Sequence, residues 1–203
     1  TLFPDTTRFR SESFGLRAHR AAAVAAAHAG AVDGEARFPA EAIDALRAEK
    51  LLGMMVPAQF GGDGASTADV VDVCYALGRA CASSGMIFAM HQVKVACVVR
   101  HGIGHAWHED FLTRLADRQM LLASSTTEGK GGGNVRASEA PVEHDGARIF
   151  LMRDASVISY GEAADAVVTT ARRDADADAS DQVLIVFEKK NYTLERTGSW
   201  DTL

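Results

Sequence analysis

The chain has 203 residues, of which 47% are hydrophobic and 24% charged, as is ordinary for a globular protein that buries a sizeable core. Its formal net charge of −6 argues against a general nucleic-acid binder and leaves no basic face for anionic lipid. No uninterrupted apolar run reaches the roughly 18 residues of a membrane helix, so we expect no membrane span. Cys74, Cys81 and Cys97 lie in apolar helical patterns, which favours reduced thiols in a cytoplasmic protein.

The first half of the chain has the periodicity of helices. The alanine-rich segment 13–30 predicts a helix that ends at Gly30, because glycine commonly follows the last helical residue. Segment 38–53 predicts a second helix that begins near a proline and ends at Gly53.

Three further helices follow. Ser66 and Asp69 have the spacing of a capping box and predict a helix start. Segment 84–102 is apolar nearly all round, which is typical of a buried helix, and segment 105–119 has the pattern of a shorter amphipathic one.

The hydrophobic period changes near residue 120 and becomes that of strands. Segment 120–127 predicts a strand, and Asp145-Gly146 predicts the turn of a hairpin. Further short strands are expected at 155–160, 165–173, 182–190 and 191–198. The sequence therefore predicts an α+β protein, with an all-α helical domain over 1–118 and an antiparallel β-barrel or sandwich domain over 119–203.

A glycine-rich loop, "SSTTEGKGGGN" (124–134), follows the first predicted strand. It is not a Walker A loop, because glycine follows Lys130, and it is not G-x-G-x-x-G, because position 134 is asparagine. Two interpretations stay open. The loop is a flexible turn, or it is a cradle in which bare backbone approaches a pyrophosphate while the hydroxyls of Thr126 and Thr127 bind a heterocycle edge.

No metal site is expected from the polar segments. The loop 174–181, "DADADASD", lacks the glycine and glutamate that a calcium loop needs at its sixth and twelfth positions. The histidines at 101, 105 and 108 have no convincing further ligand. His91 lies within an apolar helix and has two interpretations, as a hydrogen-bonded core histidine or as a polar group that faces a ligand cavity.

Five segments, in the same order, resemble the acyl-CoA dehydrogenase family. "RFPAEAIDALRAEKLLGMMVPAQFGGDGASTADVV" resembles the family's proline-initiated helix with "GLLG" and "VP..yGG", and "ASSGMIFAMHQ" resembles its buried helix. "LASSTTEGKGGGN" resembles the flavin loop "TEPGAGSD", and "LMRDASVISYGEAADAVVTTAR" resembles "LNGRKIWITNGGEADWFLVLAR". The terminal "GSWDTL" resembles the family's tryptophan segment.

The resemblance implies bound FAD and a set of residues that contact it. Hydroxyl groups would line the flavin, two glycines would touch the pyrophosphate, and two later residues would lie near the ring, with a hydroxyl close to N5. The hydroxyl positions are Ser124, Thr126 and Thr127, and the glycines are Gly132 and Gly133. The residues near the ring are Val157 and Ser159. The ligand-cavity interpretation makes His91 a candidate substrate-binding residue.

The chain departs from the family pattern at several of these positions. Glycine replaces a proline at 129 and a serine at 133, and asparagine replaces an aspartate at 134. Ala155 replaces a lysine, and Val157 replaces the aromatic residue that covers the flavin. These departures indicate a divergent member and leave the substrate class open.

The activity that the resemblance implies is α,β-dehydrogenation of an acyl-CoA thioester, with hydride transfer to flavin N5 and an electron-transfer flavoprotein or similar acceptor. A dimer or tetramer is expected. The family's general-base glutamate lies in a C-terminal helical bundle with no counterpart in this sequence, so no catalytic residue is assigned. Two alternatives are a flavin-dependent monooxygenase of the same fold and a non-catalytic partner subunit.

Overall fold

The computed structural model describes residues 13–129 and 134–196. It divides into two compact units, one that ends at Leu122 and one that begins at Ala123. The first unit is helical and the second contains the strands, which confirms the predicted α+β class and the order of the two parts. The boundary expected after residue 118 lies just before this division.

The helices of the first unit pack around a core of leucine, isoleucine, valine and alanine side chains. Helix α1 packs against α2 and α3, and α4 packs against α3 and α5. Within the described residues, the helices are α1 (Phe14–Gly34), α2 (Ala40–Ala48), α3 (Thr67–Ala80), α4 (Ala82–Gly102) and α5 (Ala106–Arg118).

Two predicted helix ends are wrong. Gly30 lies inside α1, which continues to Gly34 because Val32 is buried against the core. Helix α2 ends at Ala48, before the predicted end at Gly53. Lys50 takes a left-handed conformation with φ of 55°, and the N–H of the buried Leu51 returns to the carbonyl of Leu46 at 2.9 Å, so a non-glycine residue ends this helix.

The start of α3 and the burial of α4 agree with the sequence predictions. The Ser66 hydroxyl accepts the Asp69 N–H at 3.3 Å, and the Asp69 carboxylate accepts the Ser66 N–H at 2.8 Å, which completes the capping box. Ten residues of α4 are buried.

In the described part of the chain, α4 is the one helix with the length and composition to cross a membrane. This is weak evidence, because the core helix of a soluble protein has the same properties, and 44% of its most apolar window is buried inside the protein. The polar residues His91, Gln92 and Lys94 interrupt its apolar run in the sequence.

Strands of the second unit form a sheet and a hairpin. The sheet has the order β1-β4-β5, with β4 and β5 antiparallel and Ala166 opposite Glu188. Strands β2 and β3 are antiparallel with Asp145 opposite Arg148, which confirms the predicted hairpin. Within the described residues, the strands are β1 (Leu122–Ser125), β2 (Glu143–Asp145), β3 (Arg148–Phe150), β4 (Ala166–Arg172) and β5 (Gln182–Glu188).

Two predicted strands are absent from the described residues. Segment 155–160 is irregular and ends in a turn, because Tyr160 has φ of 45° and the N–H of Gly161 donates to the carbonyl of Ile158 at 3.2 Å. The chain from Lys189 to Asn191 is a 3-10 turn, and residues 192–196 form no strand. Closure of the sheet into a barrel or sandwich stays a prediction.

Candidate functional site

A row of hydroxyl groups lies at the end of β1. Alternation along the strand buries Ala123 and Ser125, whereas Ser124 and Thr126 lie on the other face and stay partly exposed. The hydroxyl oxygens of Ser124 and Thr126 are 3.4 Å apart. The Thr169 hydroxyl of β4 donates to the carbonyl of Ser125 at 2.7 Å and holds the strand end in place.

The hydroxyl groups continue into the loop after β1, where Thr127 contacts Ser156 from a second segment of the chain. Ser156 donates its hydroxyl proton to the Thr127 hydroxyl at 3.2 Å. We call Ser124, Thr126, Thr127 and Ser156 the hydroxyl cluster. Each hydroxyl can donate and accept a hydrogen bond, so the cluster suits the polar edge of an aromatic heterocycle.

The next residue, Glu128, is held by several donors. Its carboxylate accepts the main-chain N–H of Glu139 at 2.7 Å and of Ala140 at 3.0 Å, and the Ser138 hydroxyl at 3.3 Å. Arg153 lies 3.2 Å away as its ion-pair partner. Burial raises the pKa of Glu128, but these main-chain hydrogen bonds and the positive charge of Arg153 outweigh burial, so the pKa is lowered overall.

Arg153 is buried beside this carboxylate. Its Nη1 also donates to the Ser138 hydroxyl at 3.3 Å and to the carbonyl of Thr170. Burial lowers the pKa of Arg153, and the charge of Glu128 opposes this effect. One residue further on, the carbonyl of Asp154 accepts the N–H of Gly129 at 3.2 Å.

The structure thus brings together the two segments that the sequence linked to a flavin. Thr127 meets Ser156, while Val157 and Ser159 follow directly and are half-buried. Gly132 and Gly133 lie outside the described residues. Glu128, Arg153 and Ser156 were not expected from the sequence, because their contacts join positions far apart in the chain.

His91 lies in the core of the helical unit and is fully buried. Its Nδ1 accepts the N–H of Leu122 at 3.0 Å, so Nε2 carries the proton and donates to the carbonyl of Leu52 at 2.8 Å. Both ring nitrogens are therefore occupied by main-chain groups. This geometry favours the core-histidine interpretation, and the assignment of His91 to substrate binding stays a prediction.

The remaining polar segments have structural contacts of their own. Asp174 accepts the N–H groups of Asp176 and Ala177 at 3.0 and 2.8 Å, as expected for a solvated turn. His105 and His108 meet edge to face with ring centroids 5.9 Å apart. In residues 13–129 and 134–196, no group of three or more histidine, cysteine or carboxylate side chains could hold a metal ion.

Comparison with known proteins defines the family. Residues 16–119, slightly more than half of the chain, match the model of the acyl-CoA dehydrogenase N-terminal domain. The chain therefore belongs to the acyl-CoA dehydrogenase family.

Curated relatives are longer than this chain. A 3-sulfinopropanoyl-CoA desulfinase from Paraburkholderia xenovorans is 31% identical over 126 residues, which cover 60% of this chain and 31% of the relative. A cyclohex-1-ene-1-carbonyl-CoA dehydrogenase from Geobacter metallireducens is 27% identical over 159 residues, which cover 78% of this chain and 42% of the relative. The chain thus spans less than half the length of these two relatives.

Solved structures share the fold. FMN-bound TdsC from Paenibacillus sp. A11-2 has a TM-score of 0.80 and 18% identity, covering 93% of this chain and 47% of its own. Butyryl-CoA dehydrogenase from Megasphaera elsdenii has a TM-score of 0.74 and 20% identity, covering 93% of this chain and 50% of its own.

Proposed function

We propose that the protein is an FAD-dependent oxidoreductase that dehydrogenates an acyl-CoA thioester between its α and β carbons. The observation that carries this proposal is the hydroxyl cluster at the end of β1, in a chain of the acyl-CoA dehydrogenase family. The names of the curated relatives, which act on 3-sulfinopropanoyl-CoA and cyclohex-1-ene-1-carbonyl-CoA, support a CoA thioester as the substrate class.

Bound FAD would supply the hydride acceptor at N5. Ser124 and Thr126 would hydrogen-bond the polar edge of the cofactor. Thr127, whose hydroxyl is oriented by Ser156, would give a directional hydrogen bond to the ring. Ser159 would place a further hydroxyl near the ring, and the half-buried Val157 would supply apolar contact there.

Other parts of the proposal rest on the family. Gly132 and Gly133 would let the backbone approach the pyrophosphate, because neither carries a side chain. The electrons would pass to an electron-transfer flavoprotein or a similar acceptor, and the protein would be a cytoplasmic dimer or tetramer. We assign no general base to a residue of this chain.

The flavin site is tested by comparing the full-length protein with its Thr127→Ala variant. We expect a flavin absorption spectrum in both and a Kd for FAD about two- to tenfold higher in the variant, because one directional hydrogen bond contributes about 0.5–1.5 kcal/mol. Thr113→Ala is a matched control, since among the described residues the Thr113 hydroxyl bonds only the carbonyl of Glu109 on its own helix. An unchanged Kd and spectrum in Thr127→Ala would place the flavin elsewhere.

A flavin-dependent monooxygenase is the second candidate. Two proteins that share the fold are named as dibenzothiophene monooxygenase and methanesulfinate monooxygenase. A monooxygenase would need a separate reductase and oxygen, and its flavin would stay oxidised when thioesters are added without oxygen. A protein with no flavin would instead favour the non-catalytic partner subunit.

A further inference from the structure

We propose that Arg153 and Glu128 form a buried clamp that positions Thr127 for flavin binding, which makes both of them positioning residues. The inference rests on the proposed function and deepens it. It assigns control of the hydroxyl cluster to an ion pair that lies beside the cluster and that the resemblance to the family did not single out.

Both side chains of the clamp pair, Glu128 and Arg153, are nearly buried. The Glu128 side chain is 9% exposed and the Arg153 side chain 6% exposed, with 3.2 Å between Oε1 and Nη1. Glu128 also accepts two main-chain N–H groups and a hydroxyl. Since Glu128 follows Thr127 directly in the chain, fixing its carboxylate fixes the backbone from which the Thr127 hydroxyl projects.

Two further contacts, one on each side of the clamp pair, also tie the loop to the segment from Arg153 to Ser156. Ser156 reaches Thr127 at 3.2 Å, and the carbonyl of Asp154 accepts the N–H of Gly129 at 3.2 Å. Three consecutive loop residues are therefore tied to one short segment. A shift of that segment would move the Thr127 hydroxyl, which the proposed function places against the flavin.

The loop at Glu128 and Gly129 is bordered on one side by open space. A cavity of about 260 Å³ adjoins the loop and is lined by Glu128, Gly129, Met152 and Asp154, with Glu139 and Ala140. The described side chains leave this side of the loop open, so polar contacts to the segment from Arg153 to Ser156 hold the loop there.

The incomplete hydrogen bonding of Arg153 favours a positioning role for the ion pair over a purely stabilising one. In the part of the chain that the structure describes, Arg153 Nε and Nη2 are buried and have no hydrogen-bond partner, so the guanidinium is only partly satisfied. Replacing a buried ion pair by apolar side chains of similar volume is often neutral or stabilising, so the pair is weak evidence for a stabilising role. The role assigned to this pair is therefore to fix the geometry of the loop.

The test uses the full-length protein, stripped of flavin and titrated with FAD, with unfolding temperature measured in parallel. The variants are Glu128→Gln, Arg153→Met, Arg153→Lys and the double variant of Glu128→Gln with Arg153→Met. Arg173→Met is the matched control, because Arg173 is 57% exposed and pairs with the exposed Asp181 at 3.0 Å.

We expect Arg153→Met to raise the Kd for FAD about two- to tenfold, as loss of the Thr127 hydrogen bond would, and to shift the visible flavin bands. Arg153→Lys should recover part of the affinity. The double variant should regain the unfolding temperature, because it leaves no unpaired buried charge, but it should keep the weakened FAD binding and the shifted bands. Arg173→Met should match the wild type.

Two results would overturn the clamp. One is wild-type FAD affinity and spectrum in folded Arg153→Met, and the other is recovery of both stability and affinity in the double variant. If Arg153→Met does not fold, Arg153→Lys and the double variant decide by the same criteria. A wild-type protein that binds no flavin would refute the proposed function itself, before any variant is compared.

Discussion

The ring of His91 joins two main-chain groups, with Nδ1 3.0 Å from the nitrogen of Leu122 and Nε2 2.8 Å from the carbonyl oxygen of Leu52. The imidazole connects α4 both to the segment after α2 and to the residue at which β1 begins. An apolar side chain could fill the same volume, but it would leave a buried donor and a buried acceptor without partners.

His91→Ala should therefore lower the free energy of unfolding by about 2–5 kcal/mol, from two lost hydrogen bonds and a cavity. Denaturant unfolding followed by circular dichroism measures this loss. His101→Ala, at the exposed end of the same helix, is the control and should change little. A His91→Ala variant of normal stability with lost thioester affinity would restore the substrate-binding interpretation.

Replacement of Gly30 is expected to raise the free energy of unfolding, whereas His91→Ala should lower it. Gly30 is exposed inside α1, and a Cβ atom added there would meet nothing within 4 Å. Gly30→Ala should raise the free energy of unfolding by about 0.5–1 kcal/mol, because alanine loses less backbone entropy in a helix.

Gly62→Ala is the contrasting variant, because an added Cβ atom at this glycine would clash with the backbone. A Cβ atom there would lie 2.0 Å from the carbonyl oxygen of Val56, so the loop must shift, at a cost of about 1–3 kcal/mol or more. Thermal unfolding of the two variants compares them directly. Destabilisation by Gly30→Ala would instead mean that α1 ends near Gly30, as the sequence analysis expected.

His108 should contribute to the dependence of stability on pH. Burial, and then the charge of His105, lower the pKa of His108 below its ordinary value of 6.5. The unfolded chain therefore takes up the proton first as the pH falls. Stability should decrease from about pH 6.5 downward, until the pKa of the folded state is passed.

The measurement is the unfolding temperature of wild type and His108→Asn between pH 7.5 and 5. The decline should be shallower in His108→Asn, with the two proteins differing most at low pH. His101→Asn is the control for an exposed histidine and should follow the wild type. Parallel curves for wild type and His108→Asn would contradict the predicted linkage.

Local sequence signals predicted the elements whose cause is local. The Ser66 capping box and the Asp145-Gly146 hairpin were found because turn and cap residues act within three or four positions. The end of α1 was missed, because an interior glycine and a terminating one look alike until the burial of Val32 is known.

The contacts that could not be predicted are long-range. Arg17 lies in the alanine-rich helix α1, yet it is 1% exposed and donates to the carbonyls of Glu49 and Lys50 and to the carboxylate of Asp63. In the candidate site, the hydroxyls were identified from the loop itself. The Arg153 contact depends on tertiary structure, which a single sequence does not show.

We propose that a flavin in this protein accepts hydride from an acyl-CoA thioester. The most direct measurement is an anaerobic titration of the flavin-replete full-length protein with thioesters of different chain length, branching and terminal charge, followed by visible absorption. We expect at least one thioester to bleach the oxidised flavin bands without oxygen or a reductase. An oxidised spectrum that persists with every thioester, in a protein that dithionite still reduces, would contradict it.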